Sequence, residues 1–487
     1  MHALLCALLP WCCWFEQTRV LFARQEVYGI CDPCTVDMPS PTASPPYLPG
    51  GGLAQGRVLF ACIGAGRVCG AGMGATAAGG RLAWLLDQDK AVCQHLRVAW
   101  PNTAVICGAV SCLGGALEKH PQLPAPKVAV ISMECAPWTD GSAHARLDPT
   151  CYGLRDERGL ALLHALSSLV HLKECEGGWM ENVKGMVCKK HNSDLALICD
   201  TLAAVGVGTR QMFVVTNDEW FGAASRRARV RLLFVRNKQV VQGQAKSTWC
   251  QRGEARANAV WEQLLSNLPS PKHHYVPLVD CLVPEWSLPP YEQWRGPWLS
   301  PQHAASVKAR TRRVAFYSPR YRGAIIMIPE GYGDLAGNGP YLVHGDGVSD
   351  NQEYDTVQVP QTVINLEVHR VRKLTWVETG RVNGVFQTDI IRFHQSMGCD
   401  PAVGTSRLMR GFGAMQQPMA EAHLAQSFLQ ALGHGNSVSS SITHQQGGLV
   451  PTDSKLVPFK PNPAITTPSS GEVLIKQWKL VPPSSGA

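Results

Sequence analysis

Between residues 57 and 235, short apolar runs recur at intervals that leave room for a helix, and this cadence constrains the fold more than any other feature of the chain. Arg57-Val-Leu-Phe-Ala-Cys-Ile63 is a buried-strand pattern, residues 64–80 are glycine-rich, and residues 81–87 form a second apolar run ending in Asp87. Further apolar runs follow at 103–106, 127–132, 178–183, 212–216 and 229–235, with helical periodicity at 160–172 and 192–205. Near-continuous apolar strands alternating with helices predict an α/β architecture: a mostly parallel, doubly wound sheet covered on both faces.

The texture changes outside that stretch. Residues 1–56 read as an extension and linker, with Gly50-Gly51-Gly52 at its end, and residues 57–240 as the main lobe. Residues 241–370 are rich in Trp, Pro and Gly, including Trp286, Trp294, Trp298 and Pro329-Glu-Gly-Tyr-Gly-Asp334, without long helical periods. They predict a second, smaller and irregular domain. Residues 371–432 return to the main lobe through a helix at 420–432, and residues 433–487 have the Ser-, Pro- and Gly-rich composition of a disordered tail. The apolar run at 3–15 is too short to span a bilayer and lacks the basic start of a signal peptide, so no membrane association is expected.

The formal charge of +8 is concentrated in clusters at 226–231 and 308–313, which favours a polyanionic partner. Eighteen cysteines spread over 487 residues are too sparse for a disulfide scaffold and point to reduced thiols. Cys31-x-x-Cys34 and Cys188-x-x-His191 have metal-like local spacing, but no second pair stands at a supporting distance, and no metal site is expected.

Chemistry concentrates at predicted strand ends. Phe60-Ala61-Cys-Ile-Gly64-Ala-Gly66 places a glycine turn after the first strand, where backbone N–H groups can approach a cofactor, and Asp87 ends the second strand, where an acid can bond a ribose hydroxyl. Cys135 in Ile131-Ser-Met-Glu134-Cys135-Ala-Pro137-Trp138-Thr139 follows another strand. Glu181 in Trp179-Met-Glu181-Asn182-Val183 and the arginines of Ser225-Arg-Arg227-Ala-Arg229 stand at two more. A lone cysteine is usually buried filler; three such groups at strand ends can share one pocket.

In order and spacing, these segments resemble the cytosine-5 DNA methyltransferase family over roughly residues 57–432. The 60–66 loop resembles the family's Phe-x-Gly-x-Gly cofactor loop, and Glu134–Thr139 its Pro-Cys-Gln-x-Phe-Ser nucleophile loop. Asp156-Glu-Arg158-Gly-Leu160 and then Glu181-Asn182-Val183 resemble its helix start and Glu-Asn-Val triplet. Phe221-Gly222 with Ser225-x-Arg227-x-Arg229 is similar to its Tyr-Gly and Gln-x-Arg-x-Arg element. Arg372-Lys-Leu374-Thr375-Trp-Val-Glu378-Thr-Gly-Arg381 matches its Arg-x-Leu-Thr-x-x-Glu-x-x-Arg signature, and Pro418-Met-Ala420-Glu421-Ala422 its closing segment.

The resemblance implies a Rossmann-like S-adenosylmethionine-dependent methyltransferase lobe with a smaller target-recognition domain. It implies Cys135 as the nucleophile that adds to cytosine C6, Glu181 at the ring's N3, and Arg227 and Arg229 as supports for the ring or a phosphate. Phe60, Ala61, Gly64, Gly66 and Asp87 would hold S-adenosylmethionine. Double-stranded DNA is the expected partner, RNA the alternative, the chain a monomer, and the nucleus or nucleoid its place, since that is where such DNA is. Several positions depart from the pattern: Cys62 and Ala109 on the cofactor side, Ser225 in place of Gln, and Glu134 and Ala136 around the nucleophile. A carboxylate beside a thiol is expected to hinder its ionisation. The rival readings are a silent relative that binds nucleic acid, a tRNA cytosine-5 methyltransferase suggested by Cys135-Ala-Pro137-Trp138-Thr139, and a dehydrogenase-like protein, which explains none of the later motifs.

Overall fold

The computed structural model describes residues 34–38, 58–139, 152–208, 210–237, 248–268, 276–288, 297–310, 314–326, 328, 338–385, 387–396, 401–433 and 475–477. The apolar run at 3–15, the glycine linker, Cys31, Trp294 and the 329–334 turn lie outside these residues.

The main lobe runs β1 (Thr35–Asp37), β2 (Leu59–Ile63), α1 (Gly70–Ala77), β3 (Arg81–Asp87), α2 (Lys90–Ala99), β4 (Ala104–Cys107), α3 (Leu113–Lys119), β5 (Val128–Ser132), α4 (Glu157–Ser167), β6 (Gly177–Val183), α5 (Asn192–Ala204), β7 (Gln211–Asn217), β8 (Ser225–Arg226) and β9 (Ala228–Val235). The chain continues through α6 (Thr248–Asn267), α7 (Leu278–Cys281), α8 (Pro301–Lys308), β10 (Val314–Tyr317), β11 (Ile325–Ile326), β12 (Gly339–His344), β13 (Arg370–Arg372), α9 (Trp376–Val382), α10 (Gln387–Ser396), α11 (Pro401–Ala414), α12 (Pro418–Ala431) and β14 (Ile475–Gln477).

Strand order in the large sheet is β1-β4-β3-β2-β5-β6-β9-β7-β14. From β4 to β6 every pairing is parallel, whereas β9 runs antiparallel to both β6 and β7. The apolar runs are nearly continuous because both faces are covered. Phe60 and Cys62 enter one core with Leu85, Val130, Trp179 and Leu233. Ala61 and Ile63 enter the other with Trp84, Ile131, Met180 and Leu232. This two-residue alternation is the strand's own geometry. Burial of a large side chain such as Phe60 contributes on the order of 2–3 kcal/mol.

Three elements differ from expectation. Residues 248–267 form a long helix that belongs to the main lobe, because Ala257, Val260 and Leu264 face the core shared with α12, and Ser427 Oγ donates to Asn267 O at 2.9 Å. The irregular domain therefore begins after α6. The extension is also not wholly a linker: β1 pairs antiparallel with β4, Val36 opposite Ile106, and Asp37 forms an ion pair with Arg97. In the tail, β14 pairs parallel with β7 at the opposite edge.

The second domain is built on β10, β12 and β13, with β10 parallel and β13 antiparallel to β12. Phe316, Tyr341, Val343 and Val371 form its core. A short parallel pair, Ile325 opposite Ser225 and Ile326 opposite Arg226, joins it to the main lobe. Among the described residues no helix is long and apolar enough to cross a membrane.

Candidate active site

Strand order reverses between β2 and β5, with β3 and β4 on one side and β6 on the other, so the carboxyl ends of these strands open the crevice where α/β sheets bind ligands. The glycine loop follows β2 and Cys135 follows β5. Gly64 has φ +70°, and a Cβ there would lie 1.8 Å from the Ser132 carbonyl oxygen. The close approach that this glycine permits sets the loop directly against the strand that carries the nucleophile.

On the cofactor side, Gly64 and Ala65 donate to Leu86 O at 2.9 Å. Gly66 N donates to Asp87 Oδ2 at 2.9 Å, and Asp89 N to Asp87 Oδ1 at 3.0 Å. Burial pushes the Asp87 carboxyl up, while these backbone donors pull it down. Each carboxylate oxygen keeps a lone pair for a ribose hydroxyl, and the partly exposed Gly64–Arg67 turn lies beside it. Gly64, Gly66 and Asp87 thus fit the ribose and methionine parts of S-adenosylmethionine. No acid follows β4: Ala109 stands there, its carbonyl accepting from Cys34 Sγ at 3.8 Å, and a Cβ on Gly108 would lie 2.4 Å from that sulfur. Phe60 and Ala61 are fully buried within β2, with Phe60 edge-on to Trp179 at 6.3 Å. Both side chains point into the cores beneath the loop. Cys62 is buried too, and its thiol is pushed well up by a hydrogen bond with Cys69 and by burial.

The nucleophile loop is exposed but braced. Cys135 is exposed and opens a short 3-10 turn, Ala136–Trp138, with Pro137 as its second residue and Trp138 buried beneath. Asn182 Nδ2 donates to Met133 O at 3.4 Å, and its Oδ1 accepts from Val183 N at 2.8 Å, so the middle residue of the Glu-Asn-Val triplet holds the loop's stem. A Cβ on Gly185 would meet the Trp138 carbonyl at 2.1 Å. Glu134 is turned towards Arg158, whose Nη1 lies 3.0 Å from its Oε1. Arg158 is itself gripped by Asp156, at 2.9 Å from Nε and 2.7 Å from Nη2.

Glu181 sits opposite Ser132 in the β5–β6 register, next to that loop. From there an arginine ladder crosses the sheet. Residues 229 and 231 share one face of β9 at a two-residue period, and Ser225 and Arg227 precede that strand. Ser225 Oγ lies 3.4 Å from Asn383 Oδ1, and Arg229 Nε is 2.7 Å from Glu181 Oε1, both residues buried. Arg231 Nη2 is 3.3 Å from Asp218 Oδ1 and 3.2 Å from Glu421 Oε1, and Glu421 accepts from Trp179 Nε1. Deeper along β9 the same face becomes Leu233 and Val235, part of the core.

Arg227 plays a different part from the one its spacing predicts. Its guanidinium donates to the carbonyls of Met415 and Ala414 at the end of α11, and its backbone N–H donates to Asn217 Oδ1 at 2.8 Å. Burial, then the Arg229 charge, lowers it to about 10. It anchors the returning chain, and its charge still reaches Cys135. Sequence reasoning missed Arg231, Asp218 and Glu421; the i+2 continuation of the arginine series to 231 was the available signal.

The return signature forms a rigid hinge. Arg372 donates to both oxygens of Glu378, at 2.8 and 3.0 Å, and to His344 Nε2 at 3.1 Å. Glu378 also accepts from Thr375 N, completing a capping box on α9, and from Val283 N at 2.9 Å. Burial, with Arg372 and Arg370 nearby, pushes the His344 imidazole down to about 3, so it stays neutral and accepts. Breaking a buried pair of this kind costs about 3–5 kcal/mol. Cys188 is exposed, whereas His191 is buried and paired with Asp194 at 3.0 Å.

The glycine loop and Asp87 thus stand on one side of the switch point, and the exposed Cys135 turn and the Glu181–Arg229 pair on the other. Residues 59–394 match the C-5 cytosine-specific DNA methylase family, and the chain belongs to that family. No curated protein matches it. It shares its fold with the S. pombe Dnmt2 methyltransferase, at 15% identity and TM-score 0.50 over 77% of this chain and 99% of that one. Two more solved structures are similar: a Spodoptera frugiperda DNMT2 mutant, at 12% identity and TM-score 0.49 over 76% of this chain and 99% of that one, and the Entamoeba histolytica methyltransferase EhMeth, at 9% and 0.49 over 77% and 98%.

Proposed function

We propose that the protein transfers a methyl group to C5 of cytosine in double-stranded DNA, with Cys135 as covalent nucleophile. The observation that carries the reading is the meeting of an exposed Cys135 turn with the Glu181–Arg229 pair at neighbouring strand ends.

Cytosine C5 is a weak nucleophile until C6 is attacked. The Cys135 thiolate adds to C6, and the ring's electrons move towards N3, where Glu181 supplies a proton and holds the exocyclic amine. Arg229 keeps the Glu181 carboxyl in place at 2.7 Å. S-adenosylmethionine, when bound at the Gly64–Gly66 turn, supplies an electrophilic methyl to the activated C5. A water molecule acting as base then takes the C5 proton, the C6–S bond breaks to release the Cys135 thiolate, and N3 returns its proton to Glu181. Because C6 is shielded in a stacked duplex, the base must leave the stack, and the domain built on β10, β12 and β13 contacts the flanking nucleotides. Its hinge at Arg372–Glu378 sets that domain against the main lobe.

The test is transfer of labelled methyl from S-adenosylmethionine to duplex DNA and to tRNA. Label is expected in DNA. Label in tRNA alone would move the substrate to RNA, the reading that Cys135-Ala-Pro137-Trp138-Thr139 favours.

A further inference from the structure

We infer that Arg158 is a positioning residue for the nucleophile, drawing the Glu134 carboxylate off Cys135 and so allowing a glutamate to precede the thiol. The inference rests on Cys135 being the reactive thiol of the proposed function.

A carboxylate one residue from a thiol disfavours the thiolate by direct repulsion. In this chain that carboxylate is engaged: Glu134 Oε1 lies 3.0 Å from Arg158 Nη1. Arg158 is not free to wander, because Asp156 binds it through both carboxylate oxygens and also caps α4 by accepting from Arg158 N at 2.9 Å. The Asp156–Arg158 fork is thus a fixed cation set against the turn that begins at Cys135. Its two acidic partners are the chief causes of the high Arg158 proton affinity.

The groups that set the field at the thiol come from four directions among the described residues. Glu134 lies on its own loop, and Arg158 with Asp156 on α4. Arg227 and Arg229 lie on the β9 side, the first close enough to feel a Cys135 charge, and Glu181 lies on β6. Of these, Glu134 and Arg158 are the most exposed and the least tied to the core, with side chains 48% and 31% accessible. Their effect is therefore screened by solvent and modest, and it is separable from the buried ladder.

The test is the rate at which iodoacetamide alkylates Cys135, read by mass spectrometry of its peptide across pH 6–9, in the full chain and without any substrate. The variants are Arg158→Met, Glu134→Gln and the pair together. Arg158→Met frees the carboxylate, and the expected result is alkylation at neutral pH slowed by about threefold, with the profile displaced about half a pH unit alkaline. Glu134→Gln alone leaves the rate unchanged or raises it, and in the double variant the rate returns to that of the unmodified protein. A merely structural role for Arg158 would leave the double variant as slow as the single one, and that result overturns the inference. An Arg158→Met rate equal to the unmodified rate overturns it as well. Neither outcome depends on methyl transfer, so this test can fail while the proposed function stands, and the reverse.

Discussion

The two sides of the active-site crevice are built differently. On the Cys135 side, the side chains of the proposed chemistry are held in place: Cys135 on a turn whose stem Asn182 fixes, Glu181 paired with Arg229, and Arg231 clamped by Asp218 and Glu421. On the cofactor side the backbone does most of the work. Gly64 and Gly66 make the turn and Asp87 braces it, but β4 ends in Cys107-Gly108-Ala109, with Cys34 packed where a larger residue at 108 could not fit. The difference teaches that reactivity and cofactor affinity are set by separate devices in this fold. A chain can hold its nucleophile tightly while keeping only part of the grip on the nucleoside.

Substitutions on either side should separate the two devices. Glu181→Gln removes the proton donor and strips Arg229 of its partner; methyl transfer is expected to fall by about a hundredfold or more, with S-adenosylmethionine affinity by calorimetry unchanged. A parallel loss of cofactor binding would show that the two sides are not independent. Asp87→Ala should do the converse. Losing a charged acceptor for Gly66 N and for a ribose hydroxyl is expected to weaken S-adenosylmethionine binding about tenfold or more, while Cys135 alkylation proceeds at its normal rate. The smallest effect is expected from Ala109→Asp, which restores an acid after β4: a calorimetric Kd about threefold tighter would support the view that the adenine grip is what this chain lacks, and a weaker one would show that Cys34 and β1 already fill that place.

Much of this was legible in the residues. The parallel sheet followed from apolar runs at 57–63, 81–87 and 127–132, because a strand buried on both faces has to be apolar throughout. Cys135, Glu181 and Arg229 were singled out because each sits at a predicted strand end, and the structure places them near the ends of neighbouring strands. Two kinds of feature were not legible. Phe60 and Ala61 were placed beside the glycine turn because the motif's register is carried by its glycines, and only the structure shows how deep beneath the loop their side chains lie. Helix α6 was hidden because its apolar face at 257, 260 and 264 is narrow and lies between polar residues, so its partner, α12, decides where it packs. Glu421 stands 190 residues from Arg231, and although the arginine spacing pointed to 231, no local pattern announces their meeting.

The central claim is that Cys135 forms a covalent bond to cytosine in the course of methyl transfer. The most direct measurement repeats the transfer of labelled methyl to duplex DNA with Cys135→Ala beside the unmodified protein, digesting the product to nucleosides to locate the label. Label is expected at C5 of deoxycytidine with the unmodified protein, with a loss of more than about a thousandfold in the variant and cofactor binding retained. Equal labelling by both proteins, or S-adenosylmethionine bound but no methyl transferred to any nucleic acid by the unmodified chain, would contradict it.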